Sequence, residues 1–341
     1  MNKLLFFIIF ILCSPISQAQ KLILGVGIHS QEYDLSSADI IQKIKGLNAT
    51  SFRDDVLWSD VEEPKGVYSL RKLSKLTKTI ELANQNNISV ILILAYGNKY
   101  YDDGGYPVSQ NAQDAFAAYA DFVSKKMNGK IAYYEIWNEW TNATGMPKSV
   151  PDADVYFNLV KKVSTVIRRN DPHAKILVGG INPSNMVGRF FKKNDSEWIS
   201  NFYKLGGYRY VDGLSIHSYN ILLKDEKLRN PDLFFTYFDT LEESLKKISH
   251  SPVPFYITEV GFPVRSITQE FVFYIRKVYC NAQQREYIKG IWWYDLKDDD
   301  RKKEIEKHFG LYNKDFMPKE GYSIYDLFSK RSMDNCTLHS Y

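Results

Sequence analysis

Two glutamates, Glu139 and Glu259, each follow a short apolar run that reads as a buried β-strand. The two segments are YEIWNEW at 134–140 and FYITEVG at 255–261. A carboxylate at the end of a buried strand is held rigidly at the mouth of a sheet, where barrel enzymes carry their chemistry. Cleavage of a glycosidic bond needs two facing carboxylates, one to protonate the leaving oxygen and one to attack or to activate water. The pair therefore predicts glycosidic chemistry.

The elements that would position this pair recur along the chain. Eight runs rich in β-branched or aromatic residues begin near Leu22, Thr50, Ile88, Lys130, Lys175, Val211, Pro254 and Lys289. Each interval is long enough for one strand, one helix and two loops. Helical spacing of apolar residues predicts helices over 114–127, with Asp114 as N-cap, and over 155–167, and Asn230-Pro231 predicts the start of another.

The run ISVILIL at 88–94 is nearly apolar throughout, which is typical of a parallel strand buried on both faces. Eight such strand–helix units predict an α/β protein with a single (β/α)8 barrel. An open doubly wound sheet is the alternative, but Gly25-Val26-Gly27 lacks the third glycine of a phosphate-binding turn. In the barrel, Glu139 ends strand four and Glu259 ends strand seven, both on the carboxyl-terminal face.

The N-terminus reads as an export signal. Lys3 is followed by an apolar run over 4–13 and by a small-residue cleavage site at 17–19. We therefore expect a signal peptide at 1–19, a catalytic domain at 20–341, and a secreted or periplasmic protein. No later segment is long and apolar enough to span a bilayer, and a formal net charge of +4 gives no support for nucleic-acid binding.

Cys280 and Cys336 are the two cysteines that would remain after signal cleavage. An oxidising compartment permits a disulfide between them, although the sequence leaves open whether they are close. The scattered histidines show no metal-binding spacing, and no serine-hydrolase elbow is present. We expect no metal and no cofactor.

The motifs resemble those of glycoside hydrolases of clan A, over nearly the whole mature chain. Within the clan they are most similar to family 39, especially the short single-domain bacterial exopolysaccharide glycosidases. The segments that carry the resemblance, in chain order, are Phe52-Arg53-Asp54-Asp55, Asn138-Glu139, His217-Ser218-Tyr219, Thr258-Glu259-Val260-Gly261-Phe262-Pro263 and Trp293-Tyr294-Asp295-Leu296. One departure is Trp140, which stands where these relatives commonly have proline.

The resemblance implies a retaining mechanism with Glu139 as acid/base and Glu259 as nucleophile. It also implies five substrate-binding or supporting residues. Arg53 would hold Glu259 ionised, Asn138 would bind the sugar 2-hydroxyl, Tyr219 would donate to Glu259, His217 would line the same subsite, and Trp293 would form a platform under the sugar. His29 follows strand one, and from that position we expect it to reach the pocket floor. Glu135 is expected in a buried charge network, with a structural role. Tyr96, Tyr100, Tyr101 and Tyr106 are candidates for further sugar subsites.

The sequence thus predicts a secreted retaining β-glycosidase that hydrolyses a polysaccharide, with endo action on a bacterial exopolysaccharide or capsule as the favoured form. Two alternatives stay open. One is a transglycosylase with the same residues, and the other is a non-catalytic carbohydrate-binding barrel. The expected partner is a polysaccharide or oligosaccharide, and the expected state is a monomer.

Overall fold

The computed structural model describes residues 22–142, 150–182, 195–223, 225–300, 304, 306–321, 323 and 336. The predicted signal peptide lies outside these residues. Within the described ranges, eight parallel strands pair in chain order, and the first also pairs with the last, so that the sheet closes into a barrel. The predicted (β/α)8 fold is confirmed.

The strands begin within three residues of their predicted starts. They are β1 Ile23–Gly27, β2 Ser51–Leu57, β3 Ser89–Ala95, β4 Tyr133–Ile136, β5 Lys175–Ile181, β6 Gly213–Ser218, β7 Phe255–Val260 and β8 Ile288–Trp293. In β3 every residue after Ser89 is buried, because the barrel interior covers one face and the helices cover the other.

The helices of the described chain lie between the strands and cover the outside of the barrel. They are α1 Ser37–Gly46, α2 Trp58–Val61, α3 Ser74–Gln85, α4 Gln110–Met127, α5 Ala153–Asn170, α6 Asp195–Lys204, α7 Pro231–Ser249 and α8 Gln269–Gln283. The start at Pro231 is confirmed, with Asn230 as N-cap. The predicted cap of α4 is wrong: Ser109, not Asp114, accepts the capping hydrogen bond, from the amide of Ala112.

The barrel interior is filled by side chains in layers. One apolar layer consists of Ile91, Tyr133, Leu177, Tyr256 and Trp292, from five different strands. The Trp292 indole lies so close to β1 that a Cβ on Gly25 would be 2.1 Å from its Cδ1 atom. Glycine at this position is therefore required by the indole that fills the barrel.

Above this layer the inner face becomes polar. Alternate residues of a strand share one face, and on β2 these are Ser51, Arg53 and Asp55. The Ser51 hydroxyl accepts a hydrogen bond from Trp292 Nε1 at 3.0 Å, and Arg53 contacts Glu135 of β4. The inner face of β2 thus leads from the apolar layer to the charged mouth of the barrel.

All six tryptophans of the chain lie in the packed interior, with at most 4% of any one exposed. They are Trp58, Trp137, Trp140, Trp198, Trp292 and Trp293.

Cys280 of α8 is joined to Cys336 by a disulfide bond. This bond settles the pairing that the sequence left open. No helix in the described part of the chain is long and apolar enough to cross a membrane.

Candidate active site

Glu139 lies three residues beyond the end of β4, at the carboxyl-terminal mouth of the barrel. Its Oε1 is 3.0 Å from His217 Nδ1, and its Oε2 accepts a hydrogen bond of 2.9 Å from Asn142 Nδ2. The backbone around it is strained, since Trp137 and Glu139 have φ values of 67° and 49°, a region that non-glycine residues rarely adopt. This turn aims the Glu139 carboxylate across the mouth.

A glycine on the next strand makes room for this turn. Gly180 of β5 has φ of 46°, and a Cβ placed on it would be 2.6 Å from His217 Cε1 and 3.0 Å from the backbone nitrogen of Glu139. Any side chain at this position would displace both residues. The sequence analysis missed this role, although the Gly179-Gly180 pair inside an apolar strand was a visible signal.

Arg53 of β2 connects three strands of the mouth. Its Nε donates to Glu135 Oε2 at 2.7 Å, its Nη1 to Glu259 Oε1 at 2.6 Å, and its Nη2 to Asn138 Oδ1 at 2.7 Å. Burial by itself lowers the pKa of the Arg53 guanidinium, but the carboxylates of Glu135 and Glu259 outweigh burial and raise this pKa well above its usual value. Arg53 is therefore a permanent positive charge beside Glu259.

Glu259, in β7, has a donor on each of its carboxylate oxygens. Arg53 donates to Oε1, and the Tyr219 hydroxyl donates to Oε2 at 2.5 Å. Burial and the adjacent Glu259 charge raise the pKa of the Tyr219 hydroxyl well above its usual value, so Tyr219 remains a proton donor. The two donors fix the orientation of the Glu259 carboxylate.

His217, in β6, lies between the two glutamates. Its Nε2 is 3.5 Å from Glu259 Oε1, on the side opposite to its contact with Glu139. Burial lowers the pKa of His217, but the charge of Glu259 and the hydrogen bond to Glu139 outweigh it, so this pKa is raised. His217 therefore gives the space between the carboxylates a positive character.

Glu139, His217 and Glu259 each offer one ligand-type atom, and these three atoms lie within 4.8 Å of one another. A metal ion would need such a group of donors. However, the guanidinium of Arg53, 2.6 Å from Glu259, already supplies positive charge at this point and opposes a second cation. The arrangement suits a reaction that uses two close carboxylates directly.

Asn138 is held beside the pair from both ends of its amide. Its Oδ1 accepts from Arg53, and its Nδ2 donates to the Tyr96 hydroxyl at 2.7 Å. Four strand-end tyrosines were candidates for sugar subsites. Within the described residues, Tyr96 is the one of these four that forms a hydrogen bond with Asn138. We call the group of Arg53, Glu135, Asn138, Glu139, His217, Tyr219 and Glu259 the catalytic cluster.

The other tyrosine candidates pack elsewhere. Tyr101 stacks on Trp58 and donates to Glu62, and Tyr106 donates to the carbonyl of Trp140. Both are buried, so their rings serve packing. Tyr100 is partly exposed, with the Lys99 ammonium over its ring.

The structure places Trp293 away from the mouth, contrary to its predicted role as a sugar platform. Its side chain is fully buried and packs edge-to-face on Phe271 of α8, outside the barrel. Trp292, one residue earlier in β8, points into the barrel instead. The inward-facing residues of β8 are therefore one position away from those that the role of Trp293 required. The aromatic residue on the pocket side is Tyr294, which makes edge contacts with Tyr219 and with His29.

A second charged group lies beside the catalytic cluster. His29, after β1, has Nδ1 at 3.7 Å from Asp55 and Nε2 at 3.4 Å from Asp295. With the neighbouring Asp54 these residues form the His29 cluster. His29 and Asp295 also line a cleft of about 320 Å³. His29 therefore lies at the wall of this cleft, and its ion-pair contacts are with Asp55 and Asp295, not with Glu139 or Glu259.

The His29 cluster is strongly coupled electrostatically. Burial lowers the pKa of His29, but Asp295 and Asp55 outweigh it and raise this pKa to about 10. Burial raises the pKa of Asp54 to about 7 and that of Asp295 to about 6, against the opposing effect of His29 on both.

The sequence matches the family model "Cellulase (glycosyl hydrolase family 5)" over residues 18–293. No curated protein matches the chain. Among solved structures, a family 39 glycoside hydrolase from Bacteroides cellulosilyticus WH2 is similar, with 21% identity and a TM-score of 0.72 over 92% of this chain and 64% of that one.

Two further solved structures are similar to this chain. Xylanase 10B from Thermotoga maritima shares 15% identity, with a TM-score of 0.65 over 92% of this chain and 95% of that one. GH5_18 from Streptomyces cattleya, solved in complex with GlcNAc, shares 13% identity, with a TM-score of 0.70 over 95% and 82%. At these identities the solved structures show a shared fold.

Proposed function

The chain belongs to the cellulase family, glycosyl hydrolase family 5, and we propose that it is a secreted retaining β-glycosidase that cleaves within polysaccharide chains. Its family makes it a glycoside hydrolase, and the resemblance to clan A is confirmed. A family 39 hydrolase is among the structures that share its fold. The stereochemistry, the site of cleavage and the export are the parts that we propose.

The short distance between the two carboxylates supports the proposal of a retaining mechanism. One oxygen of Glu139 and one of Glu259 lie within 4.8 Å of each other. A retaining glycosidase needs its carboxyl groups about 5–5.5 Å apart, whereas an inverting enzyme needs about 6.5–9.5 Å to admit a water molecule. The space between Glu139 and Glu259 suits direct attack on a sugar.

In this mechanism Glu259 attacks the anomeric carbon while Glu139 gives its proton to the leaving oxygen. A covalent bond forms between Glu259 and the sugar as the glycosidic bond breaks. Glu139, now ionised, then takes a proton from water, and the resulting hydroxide releases the sugar from Glu259. His217, 3.0 Å from Glu139, is placed to stabilise the carboxylate that Glu139 becomes after the first step.

The neighbouring groups prepare Glu259 for attack. Arg53 binds one of its oxygens and Tyr219 binds the other, so the carboxylate is presented to the substrate in one orientation. Asn138 lies within reach of the same sugar and would bind its 2-hydroxyl, a contact that strengthens in the transition state. Tyr294 takes the platform role that the sequence assigned to Trp293.

Export is supported by the predicted signal peptide, and the Cys280–Cys336 disulfide suits an oxidising compartment. Endo action on an exopolysaccharide or capsule is supported by the motif resemblance to short single-domain exopolysaccharide glycosidases. Loop residues select the specific sugar in such a barrel.

The test is oligosaccharide release, measured by mass, from a panel of β-linked polysaccharides and the source organism's own exopolysaccharide. Wild type, Glu139→Gln and Glu259→Gln are compared, with Glu243→Gln as a matched control because Glu243 is exposed on α7. We expect a ladder of products from the wild type and the control, and none from the two site variants. Proton NMR of the first products should show the β-anomer.

Each contrary outcome has its own meaning. Initial α-anomer would refute retention, and products from both site variants would refute the assignment of the pair. A single sugar released stepwise would replace endo with exo action. Longer products in place of free sugars would favour the transglycosylase, and binding without cleavage by the wild type would favour the carbohydrate-binding barrel.

A further inference from the structure

Glu135 is a buried carboxylate below the catalytic pair, with no contact to the pocket. It lies in β4 and is 0% exposed. Both of its oxygens are occupied: Oε2 accepts from Arg53 Nε at 2.7 Å, and Oε1 accepts from the Ser215 hydroxyl at 2.5 Å. The Ser215 hydroxyl also contacts the Thr258 hydroxyl, next to Glu259. Glu135 thus links β4 to β2, β6 and β7.

A buried charge of this kind is costly unless it is paired, and a well-packed apolar residue is often a more stable choice. Packing alone therefore does not explain a glutamate at this position. The contact between Glu135 and Arg53 indicates a role in orienting Arg53. Glu135 accepts from Nε, which leaves both Nη atoms of the guanidinium for Glu259 and Asn138.

The guanidinium is planar, so fixing Nε fixes the direction of both Nη atoms. Arg53 Nη1 points at Glu259 and Nη2 at Asn138. A rotation of the plane would lengthen both contacts together. The contacts of Arg53 with the nucleophile and with the 2-hydroxyl ligand therefore both depend on the one contact that Glu135 makes on the far side of Arg53.

The charges of Arg53, Glu135 and Glu259 also indicate that Glu135 affects the nucleophile through Arg53. A single guanidinium pairs with two carboxylates, Glu135 and Glu259, at 2.7 Å and 2.6 Å. If Glu135 were neutral, the whole positive charge of Arg53 would act on Glu259 and on His217, whose Nε2 is 3.4 Å from Arg53 Nη2. Glu259 would then be a weaker nucleophile, because its negative charge would be held more firmly.

We infer that Glu135 is a positioning residue, which orients Arg53 and shares its charge so that Glu259 remains a reactive nucleophile. This inference rests on the proposed function of Glu259. It assigns a chemical role to a residue that the sequence analysis treated as structural.

The first test needs no substrate. His217 reports the local charge, and the titratable or charged groups that act on it are Glu139, Glu259, Arg53 and the more distant Asp195 of α6. The chain has only six histidines, so ¹⁵N-histidine NMR can follow each. In Glu135→Gln the pKa of His217 should fall by about one unit, since Arg53 loses half of its counter-charge.

Glu135→Asp and Ser215→Ala are the matched controls. Glu135→Asp keeps the charge but shortens the reach, and Ser215→Ala keeps the charge and removes the other hydrogen bond. Both should leave the pKa of His217 within a few tenths of a unit of wild type. A His217 titration in folded Glu135→Gln that equals wild type would overturn the charge-sharing role.

The second test uses the substrate found by the panel. Glu135→Asp should lower kcat by about 100-fold with little change in KM, because a small misplacement of reacting groups affects the transition state most. Wild-type kcat in folded Glu135→Asp would overturn the positioning role. The kinetic test of Glu135→Asp also decides the positioning role if Glu135→Gln does not fold. An inactive wild type would refute the proposed function, and the NMR titration would still decide the charge-sharing role.

Discussion

Two charged clusters share the mouth of this barrel, and they differ in the cation at the centre. The catalytic cluster is built around Arg53, which is 5% exposed and makes three hydrogen bonds shorter than 3 Å. The His29 cluster is built around an imidazole that is 24% exposed, with its two carboxylate contacts at 3.4 and 3.7 Å. One cation is deeply buried and closely bonded, and the other is partly solvated and loosely held.

The difference shows how a barrel can combine rigid and adjustable charge at one opening. Arginine stays protonated at every pH at which the protein folds, so the environment of Glu259 is constant. Histidine changes its charge within an accessible range, so the wall of the cleft does not stay constant. Substitutions in the two clusters should therefore differ in their effects on stability, activity and pH dependence.

Removing the central cation should cost far more in the catalytic cluster. Arg53→Ala would leave two buried carboxylates, Glu135 and Glu259, without their shared partner, and should lower the free energy of unfolding by about 3–5 kcal/mol. His29→Ala should cost less than half of that. Denaturant titration at pH 7 measures both, and equal costs would contradict the contrast between the clusters.

Removing one hydroxyl from the catalytic cluster should affect turnover. Tyr219→Phe deletes the 2.5 Å donor to Glu259 and should lower kcat/KM by about 10- to 100-fold, the usual effect of losing a hydrogen bond to a charged group. Tyr101→Phe is the matched control, because it deletes a 2.7 Å donor to Glu62 outside the cluster. The control should lose stability and keep its activity; steady-state kinetics on the identified substrate compares the two.

The His29 cluster should give stability a dependence on pH. The pKa of His29 is raised to about 10, so its contribution is fully present below the ordinary value near 6.5 and is lost as pH rises through about 10. Between pH 8 and 10, the free energy of unfolding of wild type should fall by about 1–2 kcal/mol more than that of His29→Gln. Asp54 and Asp295, whose pKa values are raised to about 7 and 6, titrate mainly below this window.

Parallel curves for wild type and His29→Gln would show that the charge of His29 does not stabilise the fold. Denaturant unfolding at closely spaced pH values is the measurement.

The smallest effect concerns the boundary between the clusters. Tyr294 makes edge contacts with a residue of each, Tyr219 and His29. Tyr294→Ala should raise KM about fivefold through loss of a sugar contact of about 1 kcal/mol. Trp293→Phe should lower stability and leave KM unchanged, and the reverse result would restore the platform role predicted for Trp293.

The sequence was enough to predict the fold and to bring the catalytic cluster together. The carboxyl ends of parallel strands converge in a barrel, so motifs that follow strands two, four, six and seven must meet. That reasoning needs only the order of the strands. The resemblance to clan A then implied that Arg53, Asn138, His217 and Tyr219 act together with Glu259, and the structure joins them in one group of contacts.

Side-chain direction was harder to predict. Alternation reverses with a shift of one residue, and the pairing of β7 with β8 contains register shifts. Trp293 therefore packs against α8 instead of facing the sugar, and Trp292 faces the barrel interior. The left-handed backbone at Trp137 and Glu139 was equally hidden, because no local sequence rule places non-glycine residues there. The ion pair of His29 with Asp295 joins the first and last strand ends, and only closure of the barrel creates it.

The burial of all six tryptophans has a consequence for spectroscopy. Indoles shielded from water emit at shorter wavelengths, and acrylamide in solution should quench them poorly until the chain opens. Because all six indoles are buried, intrinsic fluorescence will report the integrity of the core and will respond little to a saccharide at the mouth. Unfolding can therefore be followed by emission in the presence of substrate, while binding needs an optical label of its own.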